Sequence, residues 1–393
     1  MEHKTRRLSE TVKGSVVHPA LVERRRGSER RRRAGNPRLA PASLERRVGE
    51  RRRFQGAVLL GAMALASGLA VPAAAGGRPL PSATPAPTAT PAPAPRPTPG
   101  PPSTVNSLAG ATLYVDPYSS AKQTADSWRS SRPVDAAELD KIASAPQAGW
   151  FGEWSGDVLS AVDARVSAAA ATGSVPVLVA YDIPNRDCSG YSAGGAADSA
   201  AYRDWIRRFA LGIGARQAVV VLEPDALAQL CGDAAQQQER LNLLWDAVDV
   251  LKANPATAVY LDAGHSTWLS TSVAASRLQA AGVAQADGFS LNVSNFNPTA
   301  NEVTYGHSIS NLVGGKHFVI DTSRNGLGPA TTWCNPSGEA LGARPNAATG
   351  QTRVDAYLWV KRPGESDGTC NGGPAAGTFW ADYALGLAQR AAY

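Results

Sequence analysis

From Ser107 onward, short apolar runs alternate with longer stretches in which apolar residues recur every three or four positions. The short runs are TLYVD, SVPVLVAYD, AVVVLEPD, AVYLDAG, FSLNVSN, HFVIDTSR and AYLWVK, and they read as seven strands. Between Asp198 and Gly214, the spacing of Tyr202, Trp205, Ile206, Phe209 and Ile213 predicts a helix with one buried face. Leu241, Leu244, Trp245, Val248 and Leu251 predict a second. Strands alternating with helices imply an α/β fold with parallel strands. Most of the runs end in polar or acidic residues, which favours a distorted TIM-like barrel of about seven parallel strands with surrounding helices. The strand carboxyl ends would then form one working rim. A doubly wound open sheet is the alternative, but no G-x-G-x-x-G opens a helix, so a dinucleotide fold has little support.

The pattern is absent before residue 107, where composition divides the chain differently. Residues 1–53 carry 17 of the 39 Lys+Arg and 6 of the 33 Asp+Glu, so this basic leader is +11. Residues 105–393 hold 20 basic and 27 acidic residues, a net charge of about −7. The positive total therefore belongs to an Arg-rich tail without interleaved aromatics, and nucleic acid is not an expected partner. Residues 54–76 form an apolar run after Arg51-Arg52-Arg53 that ends in small residues, the form of a signal peptide. Its length also allows a membrane segment, but its many Ala and Gly make it weakly hydrophobic. Translation starting near Val48 would give this signal an ordinary short basic lead. The Pro/Ala/Thr-rich linker at 77–106 cannot bury a core and is expected to stay extended. A secreted catalytic domain at 107–393 follows, with a membrane contact only if the apolar segment is kept. A monomer is expected.

Export is consistent with four cysteines, Cys188, Cys231, Cys334 and Cys370, all in the body of the chain. Three pairings are possible, and the sequential one, 188–231 with 334–370, is the simplest. There is no C-x-x-C and the five His are scattered, so no zinc site is read.

A strand buried on both faces has no structural use for an acid at its tip. Asp182, Asp187, Glu223, Asp225, Asp262, Asp321, Glu365 and Asp367 are nonetheless gathered at or after strand ends. Crowded carboxyls push each other's proton affinity apart, so one can stay protonated as an acid while another is ionised. Some could equally be caps and struts, Glu223 before Pro224 in particular. A Mg²⁺ site is a competing reading, against which Trp and Tyr are placed among the acids. Trp205, Trp245 and Trp359 lie in apolar patterns and read as core. Trp150, Trp154, Trp268 and Trp333 lie in Gly-rich and polar stretches read as loops after strands, where exposed rings can stack on sugars.

The motifs YDIPNRDCSGYSAGG, VVVLEPD, YLDAGHSTW, NVSNFN, IDTSRNG, TWCNPSG and WVKRPGESDG occur in an order and spacing that resemble glycoside hydrolase family 6, the inverting cellulases. The resemblance runs from about Leu113 to the C-terminus, and is to bacterial members of the endoglucanase type. It implies Asp225 as general acid and Asp187 as the residue that keeps that acid protonated and can take a proton through water. It implies Tyr181 beside a distorted sugar ring and Asp367 as proposed base, with Arg186 and Arg324 able to pair with it. Trp150, Asp262, Trp268, Asn295, Trp333, Lys361 and Glu365 match substrate-binding positions. The chain departs from the pattern at Ser192-Ala193, where many relatives have two serines, which bears on how the attacking water is positioned. The implied partner is a β-1,4-glucan, and no cofactor is implied.

Exo-acting relatives resemble one another in having long loops that roof the cleft. Here only Gly368 and Thr369 separate Asp367 from Cys370, so an open cleft and internal cleavage are expected. The alternatives are an exo-acting cellobiohydrolase of the same family and a noncatalytic glucan-binding protein.

Overall fold

The computed structural model describes residues 105–393. The leader, the apolar segment and most of the linker lie outside the described residues. Within them, no helix is long and apolar enough to cross a membrane. The strands are β1 (Gly149–Phe151), β2 (Val177–Ala180), β3 (Ala218–Leu222), β4 (Thr257–Asp262), β5 (Gly288–Leu291), β6 (His317–Asp321) and β7 (Val354–Leu358). They form one all-parallel sheet in sequence order. The sheet curls until its edges meet: Ala148 N–H, just before β1, donates to the carbonyl of Trp359, just after β7, at 3.0 Å. The Trp150 indole adds a second bond, to the Val360 carbonyl at 2.8 Å.

Both faces of the strands are apolar because both are covered. Leu178, Val220, Leu222, Val259, Leu261, Phe289 and Ile320 pack outward against the helices. Val177, Val179, Val219, Val221, Tyr260, Val319 and Leu358 fill the barrel interior. The helices are α1 (Ser120–Trp128), α2 (Pro133–Ala143), α3 (Val158–Ala170), α4 (Ser199–Ile213), α5 (Ala234–Lys252), α6 (Thr271–Ala280), α7 (Thr299–Leu312) and α8 (Ala381–Gln389). The two helices read from spacing are α4 and α5. Asp198 caps α4 by accepting the Ala200 and Ala201 N–H groups at 2.9 and 2.8 Å, and Gly214, at φ +60°, ends it. A reciprocal Asp233–Gln236 capping box starts α5.

One expected strand is replaced by another. TLYVD makes only an isolated bridge, Leu113 to Val175, at the start of β2. Farther along β2 that slot belongs to β1, which pairs Gly149 with Leu178. Trp150 therefore sits on a strand and not in a loop; three residues with one partly exposed are too short to show as an apolar run. Trp359 is core, 1% exposed, and Trp205 packs against the main core. The disulfides are Cys188–Cys231 and Cys334–Cys370, the sequential pairing.

Candidate active site

The strand carboxyl ends open into a cleft of about 1090 Å³ with walls drawn from the segments after all seven strands. The rim acids divide into two groups. Glu223, Asp262 and Asp321 are at most 1% exposed and act as struts between neighbouring strand ends. Glu223 accepts the Asp182 N–H at 3.0 and 3.1 Å and the Ile183 N–H at 3.1 Å, tying β3 to β2. Asp321 accepts the N–H groups of Ser294 and Lys361 at 3.0 and 2.9 Å, tying β6 to β5 and β7. Asp262 accepts the Asp225 N–H at 2.9 Å and the Ser290 hydroxyl at 3.1 Å. Asp262 was expected among the substrate-binding positions. In the structure the residue is buried and does not line the cleft; its Oδ1 accepts the Asp225 and Gly264 N–H groups and its Oδ2 the Ser290 hydroxyl.

The second group, Asp187, Asp225 and Asp367, faces the cleft. After β3 the chain reverses through Glu223 and Asp225, both in the left-handed region at φ +50° and +68°. Such backbone is unfavourable for a side-chain-bearing residue and persists only where surrounding bonds over-determine it, as the two strut acids do here. Burial, followed by the charges of Asp262, Asp187 and Asp367, pushes the Asp225 carboxyl well above the ordinary range. Asp225 therefore keeps its proton where an exposed carboxyl would have lost it.

Asp187, at φ +55°, opens a short turn whose next two residues are also left-handed. Its oxygens accept the Ser192 N–H at 2.7 Å and the Gln229 side-chain amide at 3.2 Å. Among the described residues no cation pairs with it. The Cys188–Cys231 disulfide ties this turn to the segment after β3.

Asp367 is held differently. Its Oδ2 accepts from Arg324 at 2.7 Å and from the Asn335 N–H at 3.0 Å, and Lys361 lies 3.1 Å from Oδ1. Burial works to raise this carboxyl, but the charges of Arg324 and Lys361 outweigh it and hold it down to about 2. The expected pairing of Asp367 with Arg324 is present; the pairing with Arg186 is not. Arg186 instead forks onto Glu153 at 2.6 and 2.9 Å and donates to the Tyr181 and Ser192 carbonyls, each at 2.8 Å. Glu153 lies nearer because it follows β1, the strand beside Arg186's own β2, and the same guanidinium packs over the Tyr181 ring at 4.6 Å.

Tyr181, Trp150, Trp268, Asn295, Trp333, Lys361 and Glu365 all line the cleft. Trp150 meets Tyr181 edge-on at 5.1 Å, and Trp333 meets Tyr191 at 5.8 Å. Burial, with Asp225 and Asp187, pushes the Tyr181 phenol far up, so it stays a neutral donor. His265 packs against Trp268 at 5.2 Å with the rings tilted by 42°, and burial lowers it to about 4, so it is uncharged near neutrality. Ser192 and Ala193 both line the wall. Sequence reading missed Glu153 and Gln229. Gln229 stands one helical turn after Asp225, its N–H on the Asp225 carbonyl at 2.7 Å. Glu153 stands between two indoles in GWFGEW, a signal that could have been used.

These environments set a pH dependence of stability. Burial raises Glu223, Asp262 and Glu302 to about 7, and burial with Glu223 and Glu153 raises Asp182 to about 8. Between the unfolded value near 4 and these raised values the folded state binds more protons, so stability falls as pH rises through that window. Asp367 at about 2 has the opposite sign, and its contribution is lost as pH falls from about 4 through 2. The thermal midpoint is thus expected to peak near about pH 4 and to decline from there toward pH 8. A midpoint climbing from pH 5 to pH 8 would contradict these assignments.

The family model for glycosyl hydrolases family 6 matches residues 108–391. Endoglucanase A of Cellulomonas fimi is 47% identical over 281 residues, covering 71% of this chain and 61% of that protein. Against that relative, the chain spans about three-fifths of the length. Endoglucanase 1 of Streptomyces halstedii is 46% identical over 280 residues, covering 68% of this chain and 85% of that one. The solved endoglucanase Cel6 of Mycobacterium tuberculosis, in complex with a thio-linked methyl-cellobiosyl cellobioside, is 50% identical. It superposes with a TM-score of 0.70 over 72% of this chain and 99% of its own.

Proposed function

This chain belongs to glycosyl hydrolases family 6, and from that premise we propose that it is a secreted cellulase that cleaves β-1,4-glucosidic bonds inside the chain, with inversion at the anomeric carbon. The observation that carries the reading is the contrast among Asp187, Asp225 and Asp367, three of the acids that line the cleft. Asp225 is kept protonated by burial and by its acidic neighbours, as a general acid must be. It donates its proton to the glycosidic oxygen as the bond to the anomeric carbon breaks. Water attacks that carbon from the opposite face, which requires acid and base carboxyls roughly 6.5–9.5 Å apart.

The sequence resemblance gives the base role to Asp367. Held by Arg324 and Lys361, that carboxylate stays an anion but is a weak proton acceptor. We therefore assign uptake of the water's proton to Asp187, which no described cation holds, and to Asp367 the holding of a fixed negative charge beside the reacting ring. Internal cleavage is supported by the short Asp367–Cys370 segment, pinned by the disulfide to Cys334 and by the Asn371 amide on the Cys334 carbonyl at 2.7 Å. It is also supported by relatives that are endoglucanases at 46–47% identity.

Digestion of carboxymethyl cellulose by the folded chain tests this, with viscosity and reducing ends followed together and the fresh ends read by proton NMR. Viscosity is expected to fall well ahead of reducing ends, and the first anomer to be α. Reducing sugar without viscosity loss would contradict internal cleavage, and an initial β-anomer would contradict inversion. In the same digest Asp187→Asn should be slowed at least tenfold; near-normal turnover would remove Asp187 as acceptor.

A further inference from the structure

Four indoles line the cleft, and three of them, Trp150, Trp268 and Trp333, lie at positions that the family resemblance matches to substrate binding. The fourth, Trp154, reads from sequence only as one of several rings able to stack on a sugar and matches no substrate-binding position of the family. It sits in the single turn Glu153–Ser155 immediately after β1 and is 54% exposed, with its ring in the cleft wall. Two supports fix that ring. On one side it lies against the main chain of Gly152, where a Cβ would stand 2.5 Å from ring carbons, so glycine is needed there for space. On another, the Arg186 guanidinium packs at 5.0 Å from the ring centre. Arg186 is itself 4% exposed and immobilised by Glu153 and by the Tyr181 and Ser192 carbonyls.

An indole packed only for stability would be covered. This one is braced from behind and left half open toward the cleft. A pre-positioned aromatic ring loses little freedom when a ligand lies on it. A β-linked glucose unit offers a flat face of C–H groups that suits an electron-rich ring. Trp154 follows β1 and Trp268 follows β4, three strands away in the curled sheet, so the two rings come from separate parts of the cleft wall.

We propose that Trp154 is a sugar-stacking platform that binds one further glucosyl unit of a β-1,4-glucan at the β1 side of the cleft. The inference rests on the glucan reading above. Its test is a comparison of wild type, Trp154→Ala and Trp154→Phe on cello-oligosaccharides of increasing length. For Trp154→Ala, KM on the longest oligosaccharides should rise about fivefold, with kcat and the shortest substrate unaffected, and Trp154→Phe should recover most of the loss. Unchanged KM at every length would overturn the platform. So would an equal fall in kcat at every length, which would mean that Trp154 acts only by bracing Arg186. A wild-type chain inactive on every length would overturn the glucan reading itself and the platform with it, a result distinct from the other two.

Discussion

Asp225→Asn is expected to lower turnover of a glucan by about 10²–10⁴-fold, the usual worth of a positioned general acid. Asparagine fills the same space and can donate a hydrogen bond, but it has no proton to give the leaving oxygen. The loss should come without loss of fold. Asp225 holds its proton at a cost imposed by burial and by Asp262, Asp187 and Asp367, so a neutral side chain relieves that crowding. The melting midpoint of the variant should equal or exceed that of the wild type. KM should change little, since the interaction removed develops only as the bond breaks. A variant that loses activity because it unfolds would contradict this account of the site.

The second large effect is on stability. Arg324 is fully buried, with Nη1 on Asp367 at 2.7 Å, Nη2 on the Ser294 carbonyl and its guanidinium 4.3 Å from the Phe296 ring centre. Removing one partner of a buried pair leaves the other charge without compensation and typically costs about 3–5 kcal/mol. Arg324→Ala is therefore expected to lower the melting midpoint by about 10 °C. The carboxyl of Asp367 should also rise from its position near 2, because only Lys361 and the Asn335 N–H then hold it. Arg324→Met combined with Asp367→Leu should recover part of the stability while remaining inactive, since it removes both charges of the pair, the remainder being the cost of Lys361 losing its carboxylate. An Arg324→Ala protein that melts with the wild type would show that the pair is not holding the β6 and β7 ends together.

Where the sequence was legible, burial made it so. Strands covered on both faces must be apolar throughout, and AVVVL or HFVID can be read directly as such. β1 escaped because it is three residues long with an indole that is half in the cleft. The acids were visible as a class, since each follows an apolar run, but the expectation that a strand tip has no structural use for an acid fails for Glu223, Asp262 and Asp321, which brace the strand ends. Which acids face the cleft was not visible, because Asp225 and Asp262 end their runs in the same manner and only the turn geometry separates cleft carboxyl from strut. The partner of Arg186 was equally hidden. Its choice of Glu153 is fixed by the adjacency of β1 and β2 in the sheet and not by any local pattern.

The central claim is that Asp225 delivers the proton to the departing sugar, and the most direct measurement changes how much that sugar needs one. Asp225→Asn and wild type are compared on a cello-oligosaccharide and on an aryl glycoside with an acidic phenol as leaving group. The account predicts that the large loss on the oligosaccharide shrinks to within about tenfold on the aryl glycoside, whose phenolate departs without protonation. Equal losses on the two substrates would contradict it and make Asp225 a binding or structural residue.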